Sequence, residues 1–295
     1  MARSQSGDRR LVAPMAADQT FANRVTKASG SNFYYSFLFL PRRQREAIHA
    51  LYAFCRAVDD SVDGAGDTAE AERRVAFWRE ELAACYGGSP THPITRALAA
   101  HLRAYPIRRT DLEEVIAGVA MDITPRRYAT YEDLRGYCQR VASSVGLACI
   151  EIFGCADPAA RDYAVNLGLA FQMTNILRDV RRDAEVDRVY LPLEDLSRFG
   201  CPESDLRAAT PSGPFTDLMR FESARARALF AEAKRLLPDE ERANLLAAEI
   251  MGAIYEAILD EIERRDHDVL ARRVSLSAPR KLAIATRCYL RARSA

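Results

Sequence analysis

From Pro41 onward, apolar residues recur at steps of three and four, the spacing that lines one face of an α-helix. Ile48, Leu51, Tyr52, Cys55, Val58 and Val62 make the first such face, and Pro41 suits its opening turn. Similar patterns run over 68–86, 93–104, 110–123, 130–154, 158–186, 215–236, 239–266 and 278–292. Glycine and proline punctuate them at 64–66, 87–93, 106, 125, 158, 192, 211–214, 238 and 279. Strand-like alternation with a period of two is largely absent. The pattern predicts an all-α bundle of about eight to ten helices, with functional side chains facing its interior. Residues 1–26 show little periodicity and are expected to form a loose tail ahead of one helical domain over 27–295.

Two of these helices carry acidic stripes. Tyr52, Arg56, Asp59 and Asp63 fall at steps of four, three and four, and so share one helix face. Gln172, Asn175, Asp179 and Asp183 repeat the arrangement at steps of three, four and four. One or two D-x-x-x-D pairs are expected by chance in a chain of this kind, and the 63/67 and 183/187 pairs are such accidents. Like charges one turn apart destabilise a helix by about 0.2 to 0.5 kcal/mol, and apolar neighbours make unpaired carboxylates costlier still. Two such stripes beside buried faces call for cations. Carboxylate and amide oxygens suit Mg2+, which keeps water and bridges to phosphates. Arg56 and Arg178 lie within a turn of the carboxylates, where their guanidinium groups could fork onto the same phosphates.

Between the stripes, residues 137–149 (YCQRVASSVGLAC) are apolar and rich in small side chains. These permit close helix packing or, with Gly168 and Ala170, line a tunnel leading away from the metals.

Composition narrows the class. With 48% hydrophobic and 28% charged residues, the chain of 295 residues can bury a large core, which excludes disorder over most of its length. A formal charge of +1 gives no global field for nucleic acid. The seven cysteines show no C-x-x-C spacing and read as reduced core thiols in a cytoplasmic protein. His49, His92, His101 and His267 are scattered and suggest no zinc site. The longest charge-free run, 163–177, falls short of the roughly 20 apolar residues of a membrane span. An apolar run at 11–17, broken by Pro14, is too short for a signal peptide. Peripheral contact with a bilayer stays open.

Five ordered motifs then carry a resemblance: 31–37 (SNFYYSF), 51–63 (LYAFCRAVDDSVD), 137–146 (YCQRVASSVG), 172–179 (QMTNILRD) and 188–192 (RVYLP). Over 27–290 the chain resembles the squalene/phytoene synthase family of head-to-head prenyl synthases, with their isoprenoid synthase bundle and central cavity. Its opening and the stretch around Tyr255 look most like the bacterial presqualene diphosphate synthases of hopanoid biosynthesis. The resemblance implies that Asp59, Asp63, Asn175, Asp179 and Asp183 hold several Mg2+ ions with diphosphate. It implies substrate contacts from Ser31, Tyr52, Arg56, Val141, Gln172, Arg178, Arg188 and Tyr190, and from Tyr255, Arg273 and Lys281 near the C-terminus. Arg56 and Arg178 would act on the leaving diphosphate. Tyr137 would assist proton loss or steady a cation, with released diphosphate as an alternative base.

The implied reaction joins two farnesyl diphosphates into presqualene diphosphate, with no need for NADPH. The rivals are a phytoene or dehydrosqualene synthase, an NADPH-dependent squalene synthase, a diphosphatase and a catalytically silent assembly helper.

Overall fold

The computed structural model describes residues 5–28 and 33–294. Among these residues the architecture is helical throughout, with one isolated parallel bridge between Arg127 and Val189. The chain runs through α1 (Gln5–Ala28), α2 (Phe33–Phe37), α3 (Arg42–Asp63) and α4 (Thr68–Gly87). There follow α5 (Pro93–Leu102), α6 (Arg109–Ala120), α7 (Tyr131–Cys138) and α8 (Ser144–Phe153). The last five are α9 (Ala159–Glu185), α10 (Leu193–Arg198), α11 (Gly213–Leu236), α12 (Arg242–Arg264) and α13 (Ala278–Ser294).

The breaks fall where the sequence punctuates. Gly88 and Gly154 take left-handed φ values of 85° and 80° just past α4 and α8, a conformation glycine adopts without a Cβ clash. Asp67 caps α4 by accepting the Glu70 amide at 2.7 Å. Thr130 and Asp133 form a reciprocal capping box at α7. The short helices α2 and α10 are additions that the apolar pattern did not mark.

The expected loose tail is corrected: α1 is a helix packed on α3 and α5. Its inward stripe is Asp18, Ala22 and Thr26, all buried. Arg96 forks onto Asp18 at 2.7 and 2.8 Å, and Gln19 donates to the Glu46 carbonyl at 2.9 Å. Among the described residues only Phe21 and Val25 add larger apolar contacts to these polar and small anchors, too short a hydrophobic repeat to read as a helix.

Helix α9 is the axis of the bundle. Leu167, Leu169, Phe171, Met173, Ile176 and Leu177 are buried on several of its sides, against α8, α11 and α12. The stretch 130–154, expected as a single α-helix, is α7 and α8 joined by one π-helical turn, Gln139–Ser143. There α9 presses in: a Cβ on Gly168 would lie 2.7 Å from the Ser143 Cα. Gly118 of α6 meets Val141 on another side, where a Cβ would fall 2.6 Å from its Cγ1. Ser143 donates its hydroxyl to the Val165 carbonyl at 2.8 Å, tying the turn to α9. Close packing therefore accounts for part of the small-residue run.

A second buried polar group ties α10 to α11. One Arg225 nitrogen lies 2.7 Å from both Glu222 oxygens and 2.9 Å from Asp195, while its guanidinium sits 4.1 Å from the Tyr131 ring centre. Burial, aided by the neighbouring Asp195, pushes the Glu222 carboxyl up to about 8 although Arg225 opposes this.

Two predictions follow from this packing. Gly168→Ala should cost about 1 to 3 kcal/mol, because the obstacle is backbone that cannot turn aside; chemical denaturation would show a lower midpoint at constant slope. A carboxyl with a raised folded pKa stabilises at low pH, and that contribution fades as pH climbs from about 4.5 to about 8. Glu222→Gln should therefore flatten the fall in unfolding free energy over this window, by up to about 1.4 kcal/mol per pH unit. Parallel pH profiles for the two proteins would refute the assignment.

Candidate active site

A cavity of about 830 Å3 lies among α3, α8, α9 and α12, within the usual range for ligand sites. Much of its lining is apolar. Phe37, Ile48 and Leu51 meet Val141, Val145, Gly146, Cys149 and Phe153 there, with Tyr163, Leu167 and Phe171 from α9. The small residues of 137–149 thus serve both readings, since they admit the neighbouring helices and also form the cavity wall. Tyr52 and Tyr255 sit at this wall around Phe33, their ring centres 5.7 and 6.1 Å from its ring; Phe171 approaches Tyr255 at 4.4 Å.

The other part of the lining is charged. Helix geometry sets Arg56, Asp59 and Asp63 on α3 and Gln172, Asn175, Arg178, Asp179 and Asp183 on α9, and all line this one cavity. Arg188 and Tyr190 reach it from the segment after α9, and Arg273 and Lys281 from around the start of α13. Every expected site residue within the described part lies on the cavity. Ser31 lies outside the described residues.

Most carboxylates here are held by arginines. Arg56 donates to Asp59 at 3.1 Å and to Asp60, and Arg188 donates to Asp63 at 2.7 Å. Asp179 accepts from both Arg178 and Arg273, the shortest contacts being 2.5 and 2.6 Å. Burial works to raise its pKa, but these two guanidinium groups outweigh it and hold the group at about 2. Asp183 has no side-chain hydrogen bond or ion pair among the described residues, and burial together with the Asp179 charge pushes it up to about 7. Burial and the Asp63 charge likewise lift Asp59 to about 6. Burial lowers the Lys281 pKa, helped by the positive charges of Arg178 and Arg273.

These donors fit a hard divalent cation. The Asn175 Oδ1 is buried without a partner, an orphaned acceptor of the kind a metal or its water satisfies. Its amide nitrogen is 3.4 Å from the Gln172 side-chain oxygen. Among the described residues no three acidic, histidine or cysteine side chains converge as a metal cage.

Two residues enter that the sequence did not single out. Asp122, in the 3-10 turn Met121–Ile123 after α6, accepts the Tyr137 hydroxyl at 2.7 Å. Tyr137 stacks on Tyr190 with ring centres 5.2 Å apart, and Tyr128 packs against both. Burial, then the Asp122 charge, raises the Tyr137 hydroxyl well above its ordinary value, so it is neutral. Arg182, one turn before the end of α9, lines the cavity beside Asp183. Asp122 lacks an acidic partner at helical spacing, and Arg182 reads as one arginine among many.

A family model described as squalene/phytoene synthase matches residues 26–280. The phytoene synthase of Arthrospira platensis is 33% identical over 98% of both chains. The presqualene diphosphate synthase of Rhodopseudomonas palustris is 36% identical over 87% of this chain and 92% of its own. In structure, a ligand-bound dehydrosqualene synthase superposes with a TM-score of 0.84 at 26% identity, covering 95% of this chain and 98% of that one. A squalene synthase from Alicyclobacillus acidocaldarius follows at 0.76 and 32%, over 86% and 95%. With motif, fold and cavity in agreement, this chain belongs to the squalene/phytoene synthase family.

Proposed function

We propose that the protein joins two farnesyl diphosphates head to head in a Mg2+-dependent reaction, releasing one diphosphate and forming presqualene diphosphate. The observation that carries this reading is one cavity of about 830 Å3 lined both by charged, oxygen-rich side chains and by many apolar ones. It matches a substrate with a diphosphate head and an isoprenoid tail. Similarity to a presqualene diphosphate synthase at 36% identity supports the choice of product. A phytoene synthase reaction is the second reading, favoured by the full-length similarity to the cyanobacterial enzyme.

Asp59, Asp63, Asn175, Asp179 and Asp183 would hold Mg2+, which when bound supplies positive charge against the departing diphosphate. Arg56, Arg178, Arg188, Arg273 and Lys281 would fork onto or face its oxygens, where a desolvated site strengthens each contact. In the proposed reaction the C1–O bond of one farnesyl donor breaks and diphosphate leaves with the electron pair. The 2,3 double bond of the second molecule attacks the allylic cation, and loss of a proton closes a cyclopropane. The apolar wall keeps water from the cation. The stacked rings of Tyr137 and Tyr190 stand where a cation would find π-faces. Because its own hydrogen is directed at Asp122, the Tyr137 hydroxyl would accept a proton only by passing that hydrogen on. Released diphosphate is the other acceptor.

Incubation with farnesyl diphosphate and Mg2+, without and with NADPH, and mass analysis of the products tests the reading. A C30 diphosphate under both conditions is expected. Squalene appearing only with NADPH would make the protein a complete squalene synthase, and coupling only of geranylgeranyl diphosphate would transfer it to phytoene formation. No coupling of either donor would leave the helper reading. Asp183→Asn should lower kcat by about a hundredfold or more, yet stabilise the metal-free chain at pH 8 by on the order of 1 to 3 kcal/mol, since it removes a repelled carboxylate. An equally active variant would remove Asp183 from the metal set.

A further inference from the structure

On the side turned from the cavity, helix α13 presents a face of unusual make-up. Lys281, Ile284, Ala285 and Cys288 turn inward, toward α12 and α2. On the outer side Leu282 and Leu290 are 46% and 58% exposed, and with Ala283 and Thr286 they line a shallow apolar groove edged by Arg287 and Arg291. The helix carries Arg280, Lys281, Arg287, Arg291 and Arg293 and no acidic residue. Arg280 reaches Glu261 only at 3.6 Å, and neither Arg287 nor Arg291 has an ion pair among the described residues. Phe39 stacks on Tyr289 at 4.7 Å, which sets the α2–α3 corner, with its exposed Leu38 and Arg42, against the same helix.

Exposed leucines rimmed by uncompensated arginines complement a surface that is apolar beneath and negative on top, as an anionic lipid leaflet is. We propose that the outer face of α13 docks on anionic lipid membranes. The contact is interfacial: no described helix is long and apolar enough to cross a bilayer. The leucines enter the headgroup boundary while Arg287 and Arg291 meet lipid phosphates. The same helix borders both this surface and the reaction cavity, because Lys281 lines the cavity and the next residue, Leu282, lines the outer groove. A product with a C30 hydrocarbon body and a diphosphate head, as proposed above, would thus be formed next to a phase that can take up its hydrocarbon part. Lipid docking itself requires no turnover, so it stands or falls separately from the coupling reaction.

Flotation of the purified chain with vesicles of phosphatidylcholine, alone or mixed with phosphatidylglycerol, tests the proposal. Binding is expected only to the anionic vesicles and should loosen with salt. Each cation near such a surface counts for roughly fivefold in partition, so Arg287→Gln with Arg291→Gln should weaken binding about 25-fold. Leu282→Ser with Leu290→Ser should also release the protein, and circular dichroism should show unchanged helicity in both pairs. Absent binding, equal binding to neutral vesicles, or partition unaltered in both folded pairs would overturn the proposal. So would a dimer that the serine pair dissociates without any vesicle binding, which would assign the face to a second copy of the chain.

Discussion

Carboxylates brought together beside an apolar wall repel one another and lose the water that would screen them, and this constraint governs the arrangement around the cavity. The arginines answer it. Asp179 is paired with two guanidinium groups, and Asp59 and Asp63 with one each, whereas Asp183 forms no ion pair among the described residues and resists ionisation, since burial and the Asp179 charge outweigh the attraction of Arg188 and Arg182. The site is balanced internally where it can be and left in deficit at one position. In the proposed reaction, metal ions and phosphates arriving together would add positive and negative charge at once, and so could exchange partners with these pairs without leaving a bare charge behind.

The helices on which this depends were largely legible in the chain. α3 buries one broad face and α9 several of its sides, but on both the polar positions repeat at helical spacing, so both stripes are legible in the sequence. Their convergence on one cavity is a property of the packing. The Asp122–Tyr137 pair shows the limit: its members stand 15 residues apart on different elements, and only the 3-10 turn after α6 brings them within hydrogen-bonding distance. Arg188 and Asp63, 125 residues apart, meet for the same kind of reason.

Helix α1 was hidden differently. Sequence periodicity records hydrophobic burial, and this helix is held largely by an ion pair, a glutamine and a buried alanine, with only Phe21 and Val25 as larger apolar contacts among the described residues. The Glu222–Arg225–Asp195 group is likewise invisible to a hydrophobic count, although it joins α10 to α11. Polar anchors of this sort fix orientation more than they add stability, since desolvation offsets much of the attraction.

The π-helical turn at Gln139–Ser143 makes α7 and α8 two phases of one rod. Each residue of an α-helix advances by about 100° around its axis, and the wider turn inserts an extra step between the two halves. Tyr137 before it can therefore meet Asp122, while Gly146 after it still lies against Ala164 and Cys149 faces the cavity. A uniform helix of the same length could satisfy one of these alignments but would rotate the other away. The bulge acts as a vernier, letting the tyrosine cluster and the tunnel wall be set independently on a single continuous element.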